Sequence, residues 1–163
     1  MTDPQPPCRG PESTQLDFWL GEWELTWPAE QSGGAEGALA HGTNQVRKIL
    51  NGCVVEEKFA TADASLMGRS HSVFDTRGGV WRQTWVDSAG GYLVFTGGVH
   101  GANFELHTEQ AERDGVTVVN RMVFKDIRSN SLTWHWQAST DGGETWDELW
   151  TITYRRRAES VDG

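Results

Sequence analysis

Glu22-Trp23-Glu24-Leu25-Thr26-Trp27 is the stretch that decides how this chain folds. Large apolar side chains fall at every second position with Glu and Thr between them. An extended strand would therefore carry Trp23, Leu25 and Trp27 on one face and polar groups on the other. The run stops at Pro28, and the glycine-rich residues 32–37 follow. From there on, short β-prone segments succeed one another near 41–50, 53–60, 67–75, 80–87, 91–98, 102–109, 115–125, 131–139 and 146–155. Turn sequences separate them: Asn51-Gly52, Gly78-Gly79, Gly90-Gly91, Asp114-Gly115 and Asp141-Gly142-Gly143, in which Gly or Asn supplies a positive φ. About ten hairpin-linked strands, with no helix between them and no crossover-length connection, predict an all-β fold. The expected form is an antiparallel up-and-down barrel, because closure removes exposed strand edges. A Greek-key sandwich is the alternative.

Ahead of the first strand, Leu16, Trp19 and Leu20 are spaced i, i+3, i+4, with Ser13 or Thr14 able to cap and Gly21 to stop. This predicts a short N-terminal helix that closes one end of the barrel. Residues 1–12 hold four of the five prolines and no apolar period, and read as a disordered tail. Residues 13–155 read as a single lipocalin-like barrel domain and 156–163 as a C-terminal tail, with Arg155-Arg156-Arg157 a solvated end.

A chain of 163 residues can bury a core without disulfides or metals. Cys8 lies in the Pro-rich tail and Cys53 in an apolar run, so no disulfide framework is expected and Cys53 reads as a buried thiol. The net charge of -9 repels phosphate backbones and anionic lipid, which excludes nucleic acid and membrane surfaces as partners. No segment approaches the roughly 20 apolar residues of a membrane span, and the start lacks a signal-peptide pattern, so a cytoplasmic protein is expected. The histidines form no metal-binding motif, and neither a metal nor a cofactor is expected.

Nine Trp beside two Tyr mark a chain that builds something large and aromatic. Trp81-Arg82-Gln83-Thr84-Trp85-Val86-Asp87 alternates strictly, so an inward Trp81 and Trp85 bring Gln83 and Asp87 with them. A buried amide and carboxylate need partners, either a neighbouring strand and a turn or a ligand. Glu57 shares a face with Val55 and Phe59, either as an inward carboxyl suited to acid–base work or as the partner of Arg47, Lys48 or Arg69. In Trp134-His135-Trp136-Gln137 one parity points the Trp pair inward and the other points His135 inward. Tyr154 shares a face with Trp150 and Ile152 and can offer a hydroxyl. The candidate ligand-binding residues are thus Trp23, Glu57, Trp81, Gln83, Trp85, Asp87, His135 and Tyr154. Ser139-Thr140-Asp141-Gly142-Gly143-Glu144-Thr145-Trp146 matches the Asp-box pattern, whose role is that of a turn, with Asp141 bonding amides and Trp146 packing beneath.

Leu16-Asp17-Phe18-Trp19-Leu20-Gly21-Glu22-Trp23, Asn51-Gly52-Cys53-Val54-Val55-Glu56-Glu57, the Trp81–Asp87 run and the Asp-box hairpin together resemble a family of uncharacterised bacterial lipocalin-like, calycin-type barrels. The resemblance covers residues 16–155 and implies the barrel but no activity. A looser likeness to nitrobindins would imply haem, but their Gly-x-Gly-x-Tyr-Pro motif after the first strand is absent.

The leading expectation is a binding protein that holds a small apolar or aromatic molecule inside a Trp-lined barrel. The alternative is an enzyme, of isomerase, cyclase or lyase type, using acid and base residues in the same cavity. A barrel packed solid by its own Trp residues would sink both. Monomer and homodimer are both open.

Overall fold

The computed structural model describes residues 7–158. Its strands, in chain order, are β1 (Gly21–Pro28), β2 (Leu39–Ile49), β3 (Val54–Thr61), β4 (Met67–Asp75), β5 (Val80–Asp87), β6 (Tyr92–His100), β7 (Asn103–His107), β8 (Ala111–Arg113), β9 (Val116–Lys125), β10 (Ser131–Ser139) and β11 (Asp147–Arg156). Each strand from β1 to β6 pairs antiparallel with the next, β7 pairs with β9, β9 with β10, β10 with β11, and β11 returns to β1. Ten strands thus close an antiparallel barrel. β8 pairs with β9 alone and stands outside the ring. Its three residues are all exposed and carry no alternation, which is why the sequence gives no sign of it.

The alternation in β1 does what its pattern implies, with Trp23, Leu25 and Trp27 buried and Glu22 and Glu24 outside. One end of the barrel is packed solid by Trp23, Trp81, Phe104 and Phe124. The N-terminal segment plugs that end, but as two 3-10 turns, Pro11–Thr14 and Asp17–Trp19, instead of one α-helix. Ser13 Oγ and Thr14 Oγ1 donate back to the carbonyls of Gly10 and Pro11 and accept no amide, so neither caps a helix. A helix this short has little stability of its own, and contact with the barrel sets the conformation. Phe18 meets Phe104 and Phe124 at 6.0 and 5.5 Å, Trp19 meets Phe124 at 5.1 Å, and Trp81 Nε1 donates to Gln15 Oε1 at 3.0 Å.

Two expectations about the chain ends are corrected. Cys8 and Cys53 form a disulfide, so Cys53 is not a free thiol and the chain from Cys8 onward is fastened to the start of β3. Sequence spacing could not reveal this, because the pairing depends on how the plug folds back. Residues 1–6 and 159–163 lie outside the described part. Arg156 is no solvated end either. It closes β11, donates to the carbonyls of Phe18, Leu20 and Ser129, and lays its guanidinium 4.2 Å from the Trp23 ring centre. Gly21 makes room for it: at a φ of 127°, a Cβ there would come within 2.5 Å of Arg156 Nη1.

Candidate functional site

Away from the plug the barrel is not filled. A cavity of about 200 Å³ occupies the other half, bounded by residues from β3, β5, β6, β9, β10 and β11 and by Leu66 of the β3–β4 turn. Its wall is an arc of rings in edge contact or parallel. Phe95 meets Trp136 at 5.8 Å, Trp136 lies parallel to Trp134 at 6.3 Å, and Trp134 meets Trp150 at 5.9 Å. Trp150 meets Phe59 at 5.9 Å, and Phe59 meets Trp85 at 6.0 Å. Trp85 fits because β4 offers Gly68 diagonally across from it, two residues from its register partner Ser70. A Cβ at Gly68 would stand 1.9 Å from the indole.

Polar groups lie toward the floor. Glu57 is buried, with Oε2 accepting from Asn44 Nδ2 at 2.6 Å and Oε1 accepting from Ser70 Oγ at 2.7 Å. Asn44 Nδ2 also donates to the Tyr154 hydroxyl oxygen at 3.0 Å. Burial pushes the Glu57 carboxyl up to about 7 in spite of those two hydrogen bonds, because the pocket solvates its charge poorly. Burial, and secondarily the Glu57 charge, drives the Tyr154 phenol above its ordinary range, so it stays protonated. Gln83 donates from Nε2 to Ser72 Oγ at 2.8 Å, while its Oε1 is buried without a partner. Asp87 behaves differently. Its carboxylate accepts from Trp85 Nε1 at 2.8 Å and from the amides of Ala89 and Gly91, and these bonds hold it below the usual carboxylate range.

Five of the eight sequence candidates thus share one cavity: Glu57, Gln83, Trp85, Asp87 and Tyr154. Trp23 and Trp81 are elsewhere, in the plugged end, with Trp23 Nε1 donating to Trp19 O at 2.8 Å. His135 is on the outer wall, its Nδ1 2.7 Å from Glu148 Oε1, because the inward parity of β10 belongs to Trp134 and Trp136. The cations that the sequence offered as partners of Glu57 bond elsewhere: Arg47 pairs with Glu56 at 3.0 Å, Lys48 with Asp17 at 2.7 Å, and Arg69 donates to the Gly68 carbonyl. Asn44, Ser70 and Ser72 were not singled out from the sequence. The available signal was small polar residues at inward positions, in Gly42-x-Asn44-x-Val46 and Gly68-x-Ser70-x-Ser72-x-Phe74.

The Asp-box hairpin is a turn and lies outside the cavity. Asp141 Oδ1 accepts from the amides of Glu144 and Thr145 and from Ser139 Oγ, and Trp146 packs against the Arg121 guanidinium at 3.9 Å from its ring centre.

The model of a family described as proteins of unknown function, DUF1579, matches residues 9–156. The chain belongs to that family. In this DUF1579 member the match takes in the plug and every strand of the closed barrel, and so every cavity residue. No curated protein matches the chain. Among the described residues of this DUF1579 barrel, no three His, Cys, Asp or Glu side chains are grouped to hold a metal ion. Among the same described residues, no helix is long and apolar enough to cross a membrane.

Proposed function

We propose that this DUF1579 member is a lipocalin-like binding protein that holds a small molecule with an apolar or aromatic body inside the barrel. The observation that carries this is the cavity itself: about 200 Å³, walled by six aromatic rings, with one buried carboxyl that is not consumed by a turn. An engineered apolar cavity of roughly 150 Å³ takes up benzene, so this one suits a ligand of about ten heavy atoms. Side chains could have filled the space, as they do at the plugged end, yet Gly68 keeps the Trp85 ring packed into the wall.

The enzyme alternative rests on Glu57, whose carboxyl titrates near neutrality as a general acid or base would. It lacks a partner of matching chemistry. Asp87 is held ionised by Trp85 and its own turn, Tyr154 stays protonated, and His135 is outside. One polar anchor in an apolar pocket is the pattern of a binding protein.

Native mass spectrometry of the protein purified from its source, combined with tryptophan fluorescence titrations of small aromatic compounds, tests the proposal. A co-purifying adduct, or saturable quenching that disappears when Leu93→Trp fills the pocket, is the expected result. Absence of both an adduct and saturable quenching would overturn it.

A further inference from the structure

The cavity has a consistent electrical character. Its lining includes two carboxyl groups, Glu57 and Asp87, and no Lys, Arg or His. The wall is built of aromatic rings, whose π faces attract cations and repel anions. Gln83, only 2 % exposed, lines the same space with its Oε1 unpaired, so the floor holds an acceptor awaiting a donor. The other unpaired buried polar atom among the lining residues, Trp150 Nε1, belongs to an indole that three rings meet.

An anionic ligand would meet carboxyl groups with no counter-charge. A neutral apolar ligand would satisfy the wall and leave Gln83 Oε1 unpaired, at the usual cost of a buried polar atom. A quaternary ammonium would suit the rings but has no N–H to give. Only a protonated primary or secondary amine matches the wall, the carboxyl and the orphan acceptor together.

Resting on the binding function proposed above, we infer that the ligand is a small organic amine, its ammonium held by Glu57, Gln83 Oε1 and the faces of the Trp wall, its apolar body toward Leu93 and Phe95. The groups that face Glu57 are Asn44 of β2, Ser70 of β4, Gln83 and Asp87 of β5, and Tyr154 of β11. None of them is a competing cation. An ammonium favours the ionised carboxyl, so binding tightens as pH rises through the region where Glu57 loses its proton in the empty protein, about 7.

The test uses three probes of similar size and different charge, titrated against tryptophan fluorescence: phenethylamine, phenethyl alcohol and phenylpropionate. The amine should bind about tenfold or more tighter than the alcohol, with the acid weakest, and its affinity should rise between about pH 5.5 and about pH 8.5. Glu57→Gln should remove most of the amine preference and the pH dependence, bringing the amine and the alcohol to similar affinity. Because that variant could disturb the floor, the pH series on the unaltered protein stands as an independent measurement. Equal affinity for amine and alcohol, or affinity for the amine that is flat or falls with pH, would overturn the ligand class and leave a binding barrel standing. Failure of all three probes to bind would overturn both proposals.

Discussion

In the unfolded chain Glu57 ionises around 4.5, whereas inside the barrel burial holds its proton to about 7. Between those values the folded protein keeps a proton that the unfolded chain has lost, so raising the pH favours unfolding. The stability is fully present below about 4.5, is lost progressively up to about 7, and stays lost above it, a swing of about 3 kcal/mol. Glu57→Gln, which cannot ionise, should flatten that part of the curve. Thermal melts of the two proteins from about pH 5 to about pH 8 check this, and the informative quantity is their difference, since other groups titrate identically in both. A native protein whose stability relative to Glu57→Gln does not fall with rising pH would refute the buried-acid account. At this scale the sequence was half legible. Strict alternation put Glu57, Gln83 and Asp87 with their apolar neighbours, but it cannot say what each one touches. Asn44, Ser70 and Ser72 come from strands whose own patterns are unremarkable, and their role exists only once β2, β4 and β5 are in register with β3.

Strands rather than single side chains determine the shape of the pocket. Gly68 of β4 lies in the strand that pairs with β5, and its missing side chain is where the Trp85 ring rests. Gly68→Ala puts a methyl 1.9 Å from that ring, well inside contact, so Trp85 must swing away, taking with it the bond from its Nε1 to Asp87. Overpacking of this kind costs about 1–3 kcal/mol, and the displaced ring invades the cavity. The variant should fold with a lowered melting temperature and a shifted tryptophan emission, and should lose saturable ligand quenching. Retained quenching would mean that Trp85 does not bound the site. Strand existence was legible throughout because each strand of the ring has one buried face and clear turn signals. Facing was not legible for β10. Trp134-His135-Trp136-Gln137 reads equally well in either parity, and only the neighbours β9 and β11, which place Met122 and Ile152 inside, turn the Trp pair inward and His135 out. The N-terminal plug is helical as its spacing implies, though as two short 3-10 helices held by aromatic contacts with the barrel end.

For the molecule as a whole, plug and pocket occupy opposite ends, so stability and binding are separable. The disulfide joins Cys8 to Cys53 across 45 residues, spanning the plug, β1 and β2. Such a link restricts the unfolded chain, a contribution of about 2–4 kcal/mol for a loop of this size. It also bears against the cytoplasmic expectation, since cytosolic thiols are kept reduced. Arg156 makes a second fastening through the carbonyls of Phe18 and Leu20. Reduction, or Cys8→Ser with Cys53→Ser, should therefore lower the melting temperature without unfolding the barrel, because Arg156 and the aromatic contacts of Phe18 and Trp19 still hold the plug. Ligand affinity should stay within about twofold of that of the oxidised protein, since no cavity residue touches the disulfide and distant sites act independently. Thiol titration of the unreduced, denatured protein establishes whether the bond forms, and parallel melts and fluorescence titrations with and without reductant measure the two effects. A loss of binding on reduction, at a temperature where the barrel remains folded, would show that the ends are coupled and that the plug shapes the pocket from below.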